Sequence, residues 1–97
     1  MRSAWYNLEG DTPVPVSADE VQYENRWHLV TEVGSARVST VFIMMDHSFG
    51  GTTPILFETL VFGGEFDGCG ERYHTKAQAA EGHERWVKKL EEAQDAP

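Results

Sequence analysis

Between positions 46 and 83 the chain carries most of the side-chain types from which active sites are built: Asp46, His47, Glu58, Cys69, His74 and His83. A histidine among carboxylates can hold a divalent metal, or act as a general base whose ring a carboxylate orients. Metal-assisted or hydrolytic chemistry on Asp46, His47, Glu58, His74 and His83 would need several of them to converge on one open cavity. Their spacing does not announce it. Asp46 and His47 are neighbours, so in extended chain they point apart, and no HxH, HExxH or CxxC pattern completes a ligand set. They read as a polar turn after a buried strand. No metal and no other cofactor is expected.

His83 raises a sharper question. It falls within about 40° of Ala79 on a helical wheel, inside a stripe with Trp86, Val87 and Leu90. An imidazole in such a stripe must find a polar partner or lie neutral against the sheet. The sequence nominates Glu58, which interrupts Leu56, Leu60 and Phe62 on one strand face. If that face meets the helix, Glu58 and His83 form a buried charge-assisted pair. A catalytic base oriented by a carboxylate would look the same, but the first reading is a structural pair that fixes helix against sheet.

The remaining reactive types have plainer explanations. Cys69 sits in a glycine-rich loop with only Arg72 nearby to activate it, and reads as incidental. Gly50-Gly51 and Gly63-Gly64 precede no helix and lack the Lys and Ser/Thr of a phosphate cradle, so they read as turns. The serines show no nucleophile-elbow pattern.

The elements that must position these residues follow from periodicity. Arg26–Val33 reads as a strand with Trp27, Leu29, Thr31 and Val33 on its richer apolar face, and Gly34-Ser35 as a tight reversal. Arg37–Met45 is largely apolar on both faces, as a central strand is. Asp46–Pro54 is a loop, Ile55–Phe62 a third strand, and Glu71–His74 a short fourth. Thr75 followed by Gln78 is a capping box that opens a helix running from Lys76 to about Gln94. Gly82 inside that helix costs roughly 1 kcal/mol relative to Ala, which a close approach of helix to sheet would offset. The expected fold is α+β: an antiparallel β-meander of three to four strands packed against one C-terminal α-helix. The expected organisation is an extended acidic and aromatic arm over 1–25, one domain over 26–94, and a frayed tail over 95–97. The helix covers one sheet face, so the other needs a cover, for which the arm or a second copy of the chain are the candidates.

Composition narrows the partners. Eight Lys and Arg against sixteen Asp and Glu give a net charge of −8, which disfavours unspecific attraction to phosphate backbones or anionic lipid. Direct nucleic-acid binding is not expected. Eight basic residues interspersed with the acids also make the charge too mild for a nucleic-acid mimic. The longest apolar run, Val41–Met45, is far too short to cross a bilayer. A single cysteine allows no internal disulfide and no secretory signal pattern is evident, so the expected location is the cytoplasm, with no membrane partner.

A string of short motifs carries a resemblance: Val38-Ser39-Thr40-Val41-Phe42, Asp46-His47, Phe57-Glu58-Thr59, Val61-Phe62-Gly63-Gly64, Arg72-Tyr73, Thr75 and Gly82-His83. Over about 26–87 the chain resembles a group of small proteins of actinobacterial phages and their hosts, for which no activity is established. The resemblance implies a phage-encoded or prophage-derived accessory protein in a bacterial host cell. On that reading the chain is a non-enzymatic module that binds, and in one version inhibits, a host or phage protein. Trp5, Tyr6, Tyr23 and Phe49 are its partner-binding candidates, with the edge strand and the loop Asp46–Pro54. The alternatives are the small enzyme described above and a homodimeric structural protein.

Overall fold

The structure is a computed structural model that describes residues 4–23, 26–49, 51 and 53–95, the side chain of Asp95 apart. Residues 1–3, 24 and 25 of the expected arm, 50 and 52 of the expected loop, and 96 and 97 of the expected tail lie outside the described residues. Four strands form an antiparallel meander in the order β3-β4-β5-β6: β3 (His28–Val33), β4 (Ala36–Phe42), β5 (Phe57–Phe62) and β6 (Gly70–Tyr73). The helix α1 (Lys76–Asp95) lies across one face and touches all four strands. This is the α+β arrangement expected from the order of elements.

Local chemistry sets the boundaries. Gly34 takes φ +60° at the first position of the two-residue turn between Val33 and Ala36, where a mirror-image turn matches the twist of the flanking strands. β4 stops at Phe42, short of the expected Met45, because Met44 adopts φ +62°, incompatible with extended chain. The capping box forms as read: the Gln78 amide donates to Thr75 Oγ1 at 3.0 Å, and the Thr75 amide donates to Gln78 Oε1 at 3.2 Å. Gly82 is explained too. A Cβ there would overlap the phenol of Tyr73, so the glycine lets the helix approach β6 closely.

The arm is more ordered than expected. β1 (Trp5–Glu9) and β2 (Thr12–Val16) form a hairpin closed by Gly10 at φ +60°, followed by a 3-10 turn over Ala18–Glu20. Pro13 and Pro15 stand two apart in β2, so both missing amides fall on the side facing away from β1. The hairpin docks beyond the end of β4, where the Tyr6 amide donates to Met44 O and the Asp46 amide donates to Ala4 O, each at 2.8 Å. It therefore does not cover the second sheet face.

On the helix side, register stacks the side chains in rows. Phe42, Phe57 and Tyr73 form one row, Leu29, Thr40, Thr59 and Glu71 the next, and Thr31, Val38 and Val61 a third. The apolar rows belong to two separate clusters. One joins Phe42, Phe57 and Tyr73 to Tyr6, Met44, Leu56 and Ala79, and the other joins Val38 and Val61 to Val33, Ala36 and Leu90. A polar row runs between them.

Candidate functional site

His83 projects from α1 into that polar row and is 1% exposed. Its Nδ1 lies 2.8 Å from Thr40 Oγ1 and its Nε2 lies 2.8 Å from Thr31 Oγ1. Thr40 and Thr59 share a 2.6 Å hydrogen bond, and the Tyr73 hydroxyl is within hydrogen-bond reach of both Thr59 Oγ1, at 3.0 Å, and Glu71 Oε1, at 3.2 Å. Trp86 Nε1 donates to the same carboxylate oxygen at 3.1 Å. The hydroxyls of Thr40 and Thr31 thus hold the ring from its two nitrogens, one of which donates and the other accepts in the neutral imidazole. Among the described residues no buried side-chain polar atom lacks a partner. Burial holds the His83 pKa below the ordinary imidazole value, with the Glu84 carboxylate pulling the other way. Burial likewise pushes the Tyr73 phenol up, and the Glu71 charge adds to it, while the Thr59 hydrogen bond and Arg85 oppose.

The Glu58–His83 pair does not form. β5 turns Phe57, Thr59 and Val61 to the helix, in register with Phe42, Thr40 and Val38, so Glu58 falls on the opposite face. There it accepts from Arg72 Nε at 2.9 Å. Threonine hydroxyls take the place expected of the carboxylate.

The other candidates are scattered. Asp46 Oδ1 accepts from the amides of Ser48 and Ile55 at 2.7 and 3.0 Å, closing its loop. His47 rests edge-on against Phe49, with ring centroids 6.3 Å apart. His74 Nδ1 donates to Pro54 O at 2.8 Å on the surface. Cys69 is exposed, in the turn before β6. Among the described residues no three His, Cys, Asp or Glu side chains stand close enough to hold a metal ion. Of the partner-binding candidates, Tyr6 is corrected to a core residue, buried beside Phe42 and Leu56. Trp5 packs half-buried on the same cluster. Tyr23 is exposed, and Phe49 stands 89% exposed at its loop tip with φ +52°.

The second sheet face carries the other concentration of unusual residues. Its middle row is Val30, Ser39, Leu60 and Gly70; the rows on either side are His28, Val41, Glu58 and Arg72, and Glu32, Arg37 and Phe62. Val30, Leu60 and Phe62 are 50%, 37% and 51% exposed. Ion pairs flank them, Glu58–Arg72 at 2.9 Å and Glu32–Arg37 at 2.8 Å. No family model, curated protein or solved structure matches the chain. No helix among the described residues is long and apolar enough to cross a membrane.

Sequence reasoning missed Thr31, Thr40 and Thr59 as the partners of His83. A signal was present, since each threonine interrupts an otherwise apolar strand face, as His83 interrupts the helix stripe. It also counted Leu60 and Phe62 toward the buried face, because apolar residues occur on both sides of that strand.

Proposed function

We propose that this chain is a non-enzymatic protein-binding module whose contact surface is the open face of its four-stranded sheet. One observation carries the reading: Val30, Leu60 and Phe62 share one face of the sheet, with Ser39 between Val30 and Leu60, and are solvent-exposed and framed by ion pairs. Monomeric proteins keep contiguous apolar patches small, and an apolar centre with a polar rim is the anatomy of an interface. The polar groups weighed for catalysis support this by their placement, for His83 is sealed between threonines and Asp46, His47, Glu58 and His74 are spread over separate elements. Exposed Tyr23 and Phe49 extend the contact candidates beyond the sheet. The resemblance to small phage proteins supports a site of action in a bacterial host cell, on a protein of the host or the phage, as an accessory factor.

The test is photo-crosslinking in bacterial cells that express the chain, with a photoreactive phenylalanine at Phe62 and, as control, at Glu84 on the solvent side of α1. A discrete protein adduct from Phe62 and none from Glu84 is expected. No adduct at Phe62, or equal labelling from both sites, would overturn the reading.

A further inference from the structure

We infer that the occupant of the open sheet face is a second copy of this chain, packed face to face about a twofold axis that runs across the strands. This rests on the reading of that face as a contact surface and names its partner. The argument begins with charge. The chain carries −8 overall, yet on this face Glu32 and Glu58 are cancelled by Arg37 and Arg72. Two identical acidic molecules repel most over their acidic surfaces and least where each is neutral. A basic partner would be drawn to the acidic surfaces instead. The neutral, apolar face is where a copy can approach.

Register supplies the arrangement. A twofold axis lying over the middle row, perpendicular to the strands, sets each strand over its own image running in the opposite direction, and self-complementary contacts follow. The row holding His28, Val41 and Glu58 then covers the partner row holding Glu32, Arg37 and Phe62. His28 meets Glu32 across the interface as a hydrogen-bonding partner, Glu58 covers Phe62 and lies diagonal to Arg37, and Val41 covers the Arg37 stem. Along the middle row Val30 faces its own image and Leu60 faces its own image. An axis parallel to the strands would instead set Val30 over Gly70, Leu60 over Ser39 and Phe62 over Arg37, so that the exposed apolar side chains would not meet one another. The flat area is about 400 Å² per copy for four strands of roughly six residues. That is below the roughly 800 Å² per partner of a standard interface, so the dimer is weak and reversible.

Sedimentation equilibrium of the purified full chain, from about 10 µM to 1 mM, tests this. The average mass should rise from 10.9 kDa toward twice that value with concentration. Leu60→Glu and Leu60→Lys should each hold the chain at monomer mass, because like charges then face each other across the axis. An equimolar mixture of the two variants should regain association, since Glu then faces Lys. Circular dichroism confirms folding, and if either Leu60 substitution unfolds the chain, the Val30→Glu and Val30→Lys pair gives the same test in the same row. A wild-type mass constant at 10.9 kDa, variants that associate as the wild type does, or a mixture that stays monomeric would each overturn the proposal. A monomeric purified chain whose Phe62 still crosslinks to a different protein in cells would remove the second copy and leave the binding module standing.

Discussion

Nδ1 of His83 stands 2.8 Å from the hydroxyl of Thr40, which in turn stands 2.6 Å from the hydroxyl of Thr59. One side chain of α1 is thereby joined through β4 to β5. Thr40→Val keeps the shape but removes the hydroxyl, leaving Nδ1 and Thr59 without their partner, at a cost of about 1–3 kcal/mol. Thr40→Ser keeps the hydroxyl and loses one methyl, at about 1 kcal/mol. Urea unfolding of the two variants measures the effects separately, and a Thr40→Val variant as stable as the wild type would mean the hydroxyl contributes nothing beyond its volume.

The pH dependence has a definite sign. The His83 pKa is lowered in the fold by burial, so its neutral form is the folded form, and its contribution is fully present above the unfolded value of about 6.5. As pH falls below that value the unfolded chain takes up the proton first, and stability declines until the lowered folded pKa is reached. The slope of unfolding free energy against pH in that window should be steeper for the wild type than for His83→Gln. Parallel slopes, or an NMR titration midpoint for His83 above about 6.5, would contradict the burial.

Glu58 supplies the contrasting case. Its pairing with half-exposed Arg72 is a surface ion pair, worth about 0–1 kcal/mol. Glu58→Gln should shift the melting temperature little and leave the His83 titration where it was. A moved His83 midpoint would restore the direct pairing that the fold argues against.

Gly82→Ala should reverse the usual ranking of helix formers. In an unobstructed helix the change is stabilising by roughly 1 kcal/mol. Here the new methyl overlaps the Tyr73 ring, and overpacking of this kind costs about 1–3 kcal/mol. A raised denaturation midpoint would show that the helix can lift off β6 at no cost.

Asp46→Ala removes the acceptor for the Ser48 and Ile55 amides, so the loop should open locally. Faster hydrogen exchange at the Ile55 amide, with the β4 amides unchanged, is the expected pattern, and unchanged exchange at Ile55 would contradict it.

The helix, its capping box, the meander and a close helix-to-sheet approach at Gly82 were readable from periodicity and local chemistry; that the Tyr73 ring is what approaches was not. Nor was the facing of β5. Leu56, Leu60 and Phe62 outnumber Phe57 and Val61 as apolar residues, so counting favours the wrong side. What decides is pairing, because β4 presents Val38, Thr40 and Phe42 to the helix, and β5 must match them row by row. The hairpin was missed because β2 holds two prolines, which suppress the strand signal, although an edge position tolerates both. His83 was correctly placed on the buried stripe, but its partners required knowing which strand faces meet it.

The polar row between the two apolar clusters also bears on how uniquely the sequence chooses its fold. Sliding β4 by one residue against β5 exchanges its faces, which the buried Val38 and Phe42 already forbid. Sliding it by two keeps the faces, and an all-aliphatic sheet would pay little for the error. Here such a slip would set Thr40 against Phe57 or Val61 and break the buried hydrogen bond between Thr40 and Thr59. The threonines thus penalise the misalignments that hydrophobic packing alone would tolerate.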